Sequence, residues 1–238
     1  MPDQSRHAFP DTNWTLMQRL RSPDAKQRGA ALEELCQTYW PTIYGFARSL
    51  GHSPHDAEDL VQRFLLMLIQ NDGLQNVAQE KGHLRTFLKH AFRNHALKTH
   101  RDAGRQKRGG GAEHFSLDIE GAERDFATEI AVGATPDAAF DRLWMHVLLS
   151  RCLKVVREDY NARGKAAMFE AMEPLLTGDD IDSGARVAAR LGLNPGSFRV
   201  ALKRLRDQFR DTLRGEVAST LAADQDVDEE LRSLLALC

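Results

Sequence analysis

Apolar residues recur at helical spacing along most of the chain, and nowhere do they alternate convincingly as a strand requires. Trp14, Met17 and Leu20 mark a short helix over 13–20, closed by the turn residues Ser22, Pro23 and Asp24. A longer helix over 30–50 carries Leu32, Leu35, Cys36, Tyr39, Ile43, Phe46, Ala47 and Leu50 on one stripe. Pro41, which has no amide proton, is expected to kink it or split it in two, and Gly51 stops it. Ser53 and Pro54 then supply an N-cap and a first-turn proline, with Asp56, Glu58 and Asp59 near the positive end of the helix dipole. Ala57, Leu60, Val61, Phe64, Leu65 and Leu68 form the inward face of this helix. Leu66, Met67 and Ile69 lie outside that stripe, so the apolar surface is wider than one core needs. Central burial, the commoner case, or a partner accounts for it.

A polar loop, 71–83, leads to a helix from about Leu84, whose core face is Leu84, Phe87, Leu88, Ala91, Phe92 and Ala96. Arg85, Lys89 and Arg93 follow one another at i,i+4 along its flank, and Lys98, Arg101, Arg105, Lys107 and Arg108 extend the series. Gly109-Gly110-Gly111 then opens an acidic stretch to Thr135 that shows no sustained periodicity and is expected to be a flexible linker. Thr135-Pro136-Asp137 caps a long helix to about 161, with Phe140, Leu143, Trp144, Val147, Leu148, Cys152, Val155 and Val156 inward, and a further helix covers 165–176.

Residues 184–214 contain a short helix over 184–191, a turn and a longer helix. Gly192 provides a left-handed cap, Asn194 an N-cap and Pro195 the first helical position. In the second helix Phe198, Leu202, Leu205, Phe209 and Leu213 form the apolar stripe. One position along, Arg199, Lys203, Arg206, Arg210 and Arg214 form a cationic stripe beside it. A helix-turn-helix presents its second helix to the DNA major groove in this manner. A plain bundle helix with solvated arginines, partly offset by Asp207 and Asp211, fits the same pattern. An acidic tail holding Asp224, Asp226, Asp228, Glu229 and Glu230 ends in a small amphipathic helix through Leu237. The fold class read from these patterns is all-α: two small helical modules, 13–108 and 136–216, joined by a flexible acidic linker, 109–135, with an acidic tail over 217–238.

The chain has 238 residues, enough for one large or two small cores, and its 42% hydrophobic and 28% charged content is that of a folded soluble protein. A net charge of −2 hides a segregation. From Lys81 to Arg108 nine cations face only Asp102, whereas from Gly109 to Asp141 eight acids face only Arg124. A merely solvated helix would mix its charges, so the basic run points to nucleic acid beside a solvated acidic linker.

Cys36, Cys152 and Cys238 are too far apart in sequence for metal-ligand spacing. No signal-peptide pattern and no apolar run of bilayer length is present, so a reducing cytoplasm is the expected address, with no membrane partner. His52 and His55 beside Asp56, Glu58 and Asp59 are interrupted by Pro54, and His90, His95 and His100 rotate around their helix instead of sharing a face. With no phosphate-binding loop or nucleophile elbow either, the chain reads as no enzyme: no catalytic residue, metal or cofactor is expected.

The layout resembles a bacterial RNA polymerase sigma factor of the extracytoplasmic-function (ECF) type. EELCQTYWPTIYGFARSLGHSPHDAEDLVQRFLLMLIQN, residues 33–71, is similar to region two, in which a DAEDL-type helix docks on the polymerase clamp. GHLRTFLKHAFRNHALKTHR, residues 82–101, is similar to the segment that meets the melted minus-ten element, and RVAARLGLNPGSFRVALKRLRDQFRDTLR, residues 186–214, to region four, which reads the minus-thirty-five element. KRGGG with the following SLD, the TPDAAFDR segment and the VDEELR tail resemble a long-tailed, planctomycete-like subgroup. A tryptophan common near Phe87 is absent, and SGAR, residues 183–186, lacks an acidic helix start.

The resemblance implies binding of core RNA polymerase and promoter DNA, with an anti-sigma factor as a further partner. Its implied polymerase contacts are Asp56, Glu58, Asp59, Gln62, Arg63, Leu66 and Met67. Those to the melted strand are Arg85, Lys89, Arg93, Lys98 and Arg101, with base capture in the loop 75–83. Duplex contacts are Ser197, Arg199, Val200, Lys203, Arg206 and Arg210, of which Arg199 and Lys203 lie near base edges and Arg206 and Arg210 near phosphates. A helix-turn-helix regulator that acts without docking on polymerase is the alternative.

Overall fold

The computed structural model describes residues 19, 22–70, 84–103, 118–130, 135–176, 181–221 and 225–236, and among them every regular element is helical. In chain order these are α1 (Ala25–Ser49), α2 (Pro54–Gln70), α3 (Leu84–Ala103), α4 (Ile119–Ile130), α5 (Pro136–Ala162), α6 (Ala166–Met172), a 3-10 turn (Glu173–Leu175), α7 (Ile181–Arg190), α8 (Pro195–Ser219) and α9 (Val227–Leu235). The chain forms two compact units. One comprises Met1–Val147 with Val217–Cys238, the other Leu148–Glu216.

In the first unit α1 is the hub. The Asp24 carboxylate caps it by accepting from the Lys26 amide at 2.9 Å. Gly51 at φ 95° ends it, its amide returning to the Arg48 carbonyl. Pro41 lies inside the helix without splitting it, and all residues from Thr42 to Ala47 are buried, because α2, α3 and α4 surround that half. Gly45 is needed there: a Cβ on it would fall on the Leu143 side chain of α5.

Aromatic rings link the helices. Phe64 of α2 meets Phe92 of α3 edge-on at 5.2 Å, Phe92 meets Phe46 of α1 at 5.9 Å, and Phe46 meets Phe140 of α5 at 5.1 Å. Tyr39 stacks on Trp144 at 4.7 Å. Of the helix expected over 13–20, only Arg19 lies within the described residues, its guanidinium 2.9 Å from Glu34.

Two segments differ from expectation. The acidic stretch 109–135, read as a linker without periodicity, contains α4, packed on α1. Ala122 and Phe126, four apart, are its buried contacts, and Glu123 between them reaches Tyr44 and Arg48, so acids that seemed to mark a solvated linker belong to an amphipathic helix. Residues 104–117 and 131–134 lie outside the described residues. The tail 217–238, expected as a segment apart, groups with the first unit: Val217, Ser219, Thr220 and Leu221 are buried, as are Glu230 and Leu234 of α9.

The second unit closes around Val156, Tyr160, Phe169, Met172, Leu175, Ala188, Phe198 and Leu205. α7 begins at Ile181, a little before the expected start. The turn after it is as the sequence predicts: Gly192 has φ 65°, the Leu193 amide returns to the Ala188 carbonyl, and Asn194 Oδ1 accepts from the Ser197 amide at 2.8 Å.

Candidate polymerase and nucleic-acid interfaces

α2 starts from a cap built of its own residues. The Ser53 hydroxyl accepts from the Asp56 amide at 3.2 Å and donates to the Asp56 carboxylate at 2.6 Å. Asp56 remains exposed, while Glu58 and Asp59 are half-buried. Glu58 accepts from the Gln62 amide group at 3.3 Å, and Asp59 pairs with Arg63 at 3.5 Å. These partners are local, and the Asp59 and Arg63 side chains are 46% and 59% exposed, so their ion pair adds little stability. Gln62 is buried, at 4% exposure, and so orients Glu58 from within. Arg63 is exposed, and Leu66 and Met67 are half-buried; the Ile69 side chain lies outside the described residues.

The cationic series of α3 is placed differently from a free ridge. Arg85 directs Nη1 to Asp141 at 2.7 Å and Nη2 to Glu230 at 2.9 Å. Lys89 lies 2.8 Å from Asp141 and Arg93 3.1 Å from Asp137. The acids at 137 and 141 repeat the i,i+4 step of the cations opposite them, so α5 answers α3 turn for turn. Arg85 and Lys89 are largely buried, with side chains 12% and 14% exposed. Lys89 also lies over the Phe140 ring at 5.4 Å and Arg93 over Phe46 at 5.5 Å. Lys98 is exposed, as are Asn94 and Leu97 beside it. The Arg101 side chain and the loop 75–83 lie outside the described residues.

Arg199, Lys203 and Arg210 of α8 stand in the open. Arg199 is exposed, next to Val200 at 51% exposure, with Ser197 one turn earlier. Lys203 reaches Asp207 at 2.7 Å and Arg210 reaches the same carboxylate at 3.2 Å, both from exposed positions. Hydrogen bonding from Lys203 holds the Asp207 carboxyl below its usual range. Arg206 departs from the expected phosphate anchor: it is half-buried and donates to the Leu175 carbonyl at 2.8 Å, closing the end of the 3-10 turn. Position in the stripe could not reveal this, because the acceptor lies 31 residues away in sequence.

Residues 35–106 match the family model for Sigma-70 region 2. Over this stretch the chain is similar to sigma-70 factors. No curated protein and no solved structure matches it significantly. Sigma factors are transcription initiation factors that act with RNA polymerase and bind DNA, and they are not themselves enzymes. The matched stretch spans every α2 and α3 residue named above, so the acids of α2 and the cations of α3 both lie within the part of the chain that is similar to sigma-70 region 2. Among the described residues no group of three His, Cys, Asp or Glu side chains could hold a metal, and no helix is long and apolar enough to cross a membrane.

Sequence reasoning missed the partners of this region. Asp137 and Asp141 were visible as acids and Phe140 as core, but nothing local assigns them to α3. Glu123 was likewise visible, yet its partners Tyr44 at 2.7 Å and Arg48 at 2.8 Å come from 79 and 75 residues earlier. The Arg48 hydrogen bond holds the Glu123 carboxyl below its usual value, against the opposing effect of burial and with help from Tyr44.

Proposed function

We propose that this protein belongs to the sigma-70 family and is an ECF-type sigma factor that binds core RNA polymerase and directs promoter recognition in the cytoplasm. The observation that carries the reading is the match of residues 35–106 to the sigma-70 region 2 family model. On it, α2 offers polymerase a charged rim of Asp56, Glu58, Asp59 and Arg63 beside the half-buried Leu66 and Met67. Gln62 acts by orienting Glu58. Interfaces concentrate binding energy in such apolar anchors, while a charged rim governs encounter and orientation.

Arg85, Lys89, Arg93, Lys98 and Arg101 serve the melted strand, with Lys98 the most open of those whose side chains are described. The helix-turn-helix reads duplex DNA as region four: Ser197, Arg199, Val200 and Lys203 face base edges and Arg210 a phosphate, while Arg206 holds the helix in place. An apolar Val200 at the helix start suits a thymine methyl group. The KRGGG, TPDAAFDR and VDEELR segments favour the long-tailed, planctomycete-like subgroup, and an anti-sigma factor is a fitting further partner.

The deciding experiment is capture of core RNA polymerase by the full chain, followed by promoter-dependent transcription. Met67→Ala should weaken capture by more than about 1 kcal/mol with helix content unchanged. Sequence-specific duplex binding without polymerase capture would instead make the protein a helix-turn-helix regulator.

A further inference from the structure

The acids that meet α3 come from two sources of different character. Asp137 and Asp141 belong to α5, whose Phe140 and Trp144 are fully buried in the first unit. Glu230 belongs to α9, a helix that buries only Glu230 and Leu234 and exposes Leu235. Glu230 is 6% exposed, and a carboxylate so buried is costly unless it meets a cation. Its cation is Arg85, met by Oε1 at 2.9 Å and by Oε2 at 3.2 Å. With Asp141 on Nη1, both terminal nitrogens of Arg85 are taken, and Nε is buried without a hydrogen-bond partner. The backbone at this point is taken too. The Leu84 amide at the start of α3 donates to the Thr220 carbonyl at 3.1 Å, although a helix start otherwise offers its amides to an anion. Two features that would receive a phosphate, the first arginine of the series and the first amide of its helix, are thus both occupied by the C-terminal segment.

We infer that this segment, from Thr220 through α9, is an internal occupant of the start of α3 that competes with a nucleic-acid strand for Arg85, the Glu230 carboxylate standing in for a phosphate. The inference rests on the reading of α3 as a strand-binding helix and adds to it a built-in restraint. α9 must leave before Arg85 can take a strand. Lys98, away from the covered start, is available throughout.

The test uses the full chain, a short fluorescein-labelled single-stranded DNA of mixed sequence, and a salt series. Glu230→Gln keeps the shape of the side chain and removes its charge. It should tighten binding about tenfold and steepen the dependence of log K on log salt by about 0.7, the share of one regained phosphate contact. Deleting residues 226–238 should do the same, and adding Arg85→Gln to Glu230→Gln should return affinity to that of the parent. Hydrogen exchange on the unaltered chain provides a measurement independent of any folding defect: amides over 227–235 should exchange faster when the DNA is added. Unchanged affinity in both Glu230→Gln and the deletion overturns the inference, as does slower or unchanged exchange in α9. Lys98→Gln examines the reading beneath it and should weaken binding by the unaltered chain. If Lys98→Gln matters while Glu230→Gln is silent, the restraint alone falls; if both are silent, the strand-binding reading of α3 falls with it.

Discussion

α3 and α8 carry cations at matching helical steps beside an apolar stripe, yet their surroundings are opposite. Arg85 and Lys89 are largely buried against carboxylates from α5 and α9, whereas Lys203 and Arg210 share one exposed carboxylate from their own helix. The contrast separates what a periodic pattern fixes from what it leaves open. Helical period decides which side chains share a face. What covers that face is decided by segments far away in sequence, and the cover decides whether a charge is part of the structure or available to a ligand.

The largest test of this contrast removes one acid from each side. Asp141→Ala takes a carboxylate from both Arg85 and Lys89 and should destabilise the first unit by about 3 kcal/mol, because the cations left behind are poorly hydrated. Asp207→Ala should leave unfolding unchanged and tighten binding to duplex DNA, since its partners remain in water. Urea unfolding of the two variants side by side would show the difference, and equal losses would erase it.

The packing that sets α5 against the hub is tested by Gly45→Ala, which drives a methyl group into Leu143. A loss of about 1–3 kcal/mol is expected in the same assay. A neutral result would mean that Leu143 moves aside freely.

Within α8 the comparison sharpens to neighbouring turns. Arg206→Ala removes the bond to the Leu175 carbonyl and should cost about 1 kcal/mol of stability. Arg210→Ala should leave stability unaltered, weaken binding to all duplexes alike, and reduce the salt slope by about 0.9. If Arg206→Ala instead behaves like Arg210→Ala, the carbonyl contact has no structural weight.

The acid side of α4 predicts a pH effect. The folded-state pKa of Glu123 lies below its usual value of 4.5, so the stability it adds is present above that value and is lost as pH falls through the lower, folded one. The Glu123 side chain is 35% exposed, which makes the effect a modest one. Thermal midpoints of the parent should therefore fall more steeply in acid than those of Glu123→Gln. Parallel midpoints would show that this carboxylate does not couple α4 to α1. The smallest effect concerns thiols. Burial pushes Cys36 up to about 11 and Cys152 up to about 12, so neither should react with a thiol reagent at neutral pH until its unit unfolds.

The local grammar of the chain was legible at several helix ends: Ser53, Asn194 and Thr135 at helix starts, Gly51 and Gly192 at helix ends, and the Phe198–Leu205 stripe all lie where composition and spacing put them. α4 was missed because abundant acids obscured a two-residue apolar contact, and the contact has meaning only against α1. The structural partner of Arg206 was hidden for the same reason, its acceptor being outside its own helix. For the candidate site, sequence supplied the residues and their helical faces but not the neighbours that cover them. Charge counting found the cations of α3, while their occupancy depends on Asp137, Asp141 and Glu230, which no spacing rule connects to them.

The aromatic inventory has an optical consequence. The chain has three tryptophans and three tyrosines, and Leu148–Glu216 contains none of the former and only Tyr160 of the latter. Intrinsic tryptophan emission therefore reports on the first unit alone, with Trp144 shielded from water and stacked on Tyr39. The helix-turn-helix unit is dark at those wavelengths. One unlabelled sample thus carries two separable signals: emission following the region that holds α3 and its restraint, and far-ultraviolet circular dichroism following both, so that the order in which the units unfold, or the one that answers to DNA, is readable without a probe.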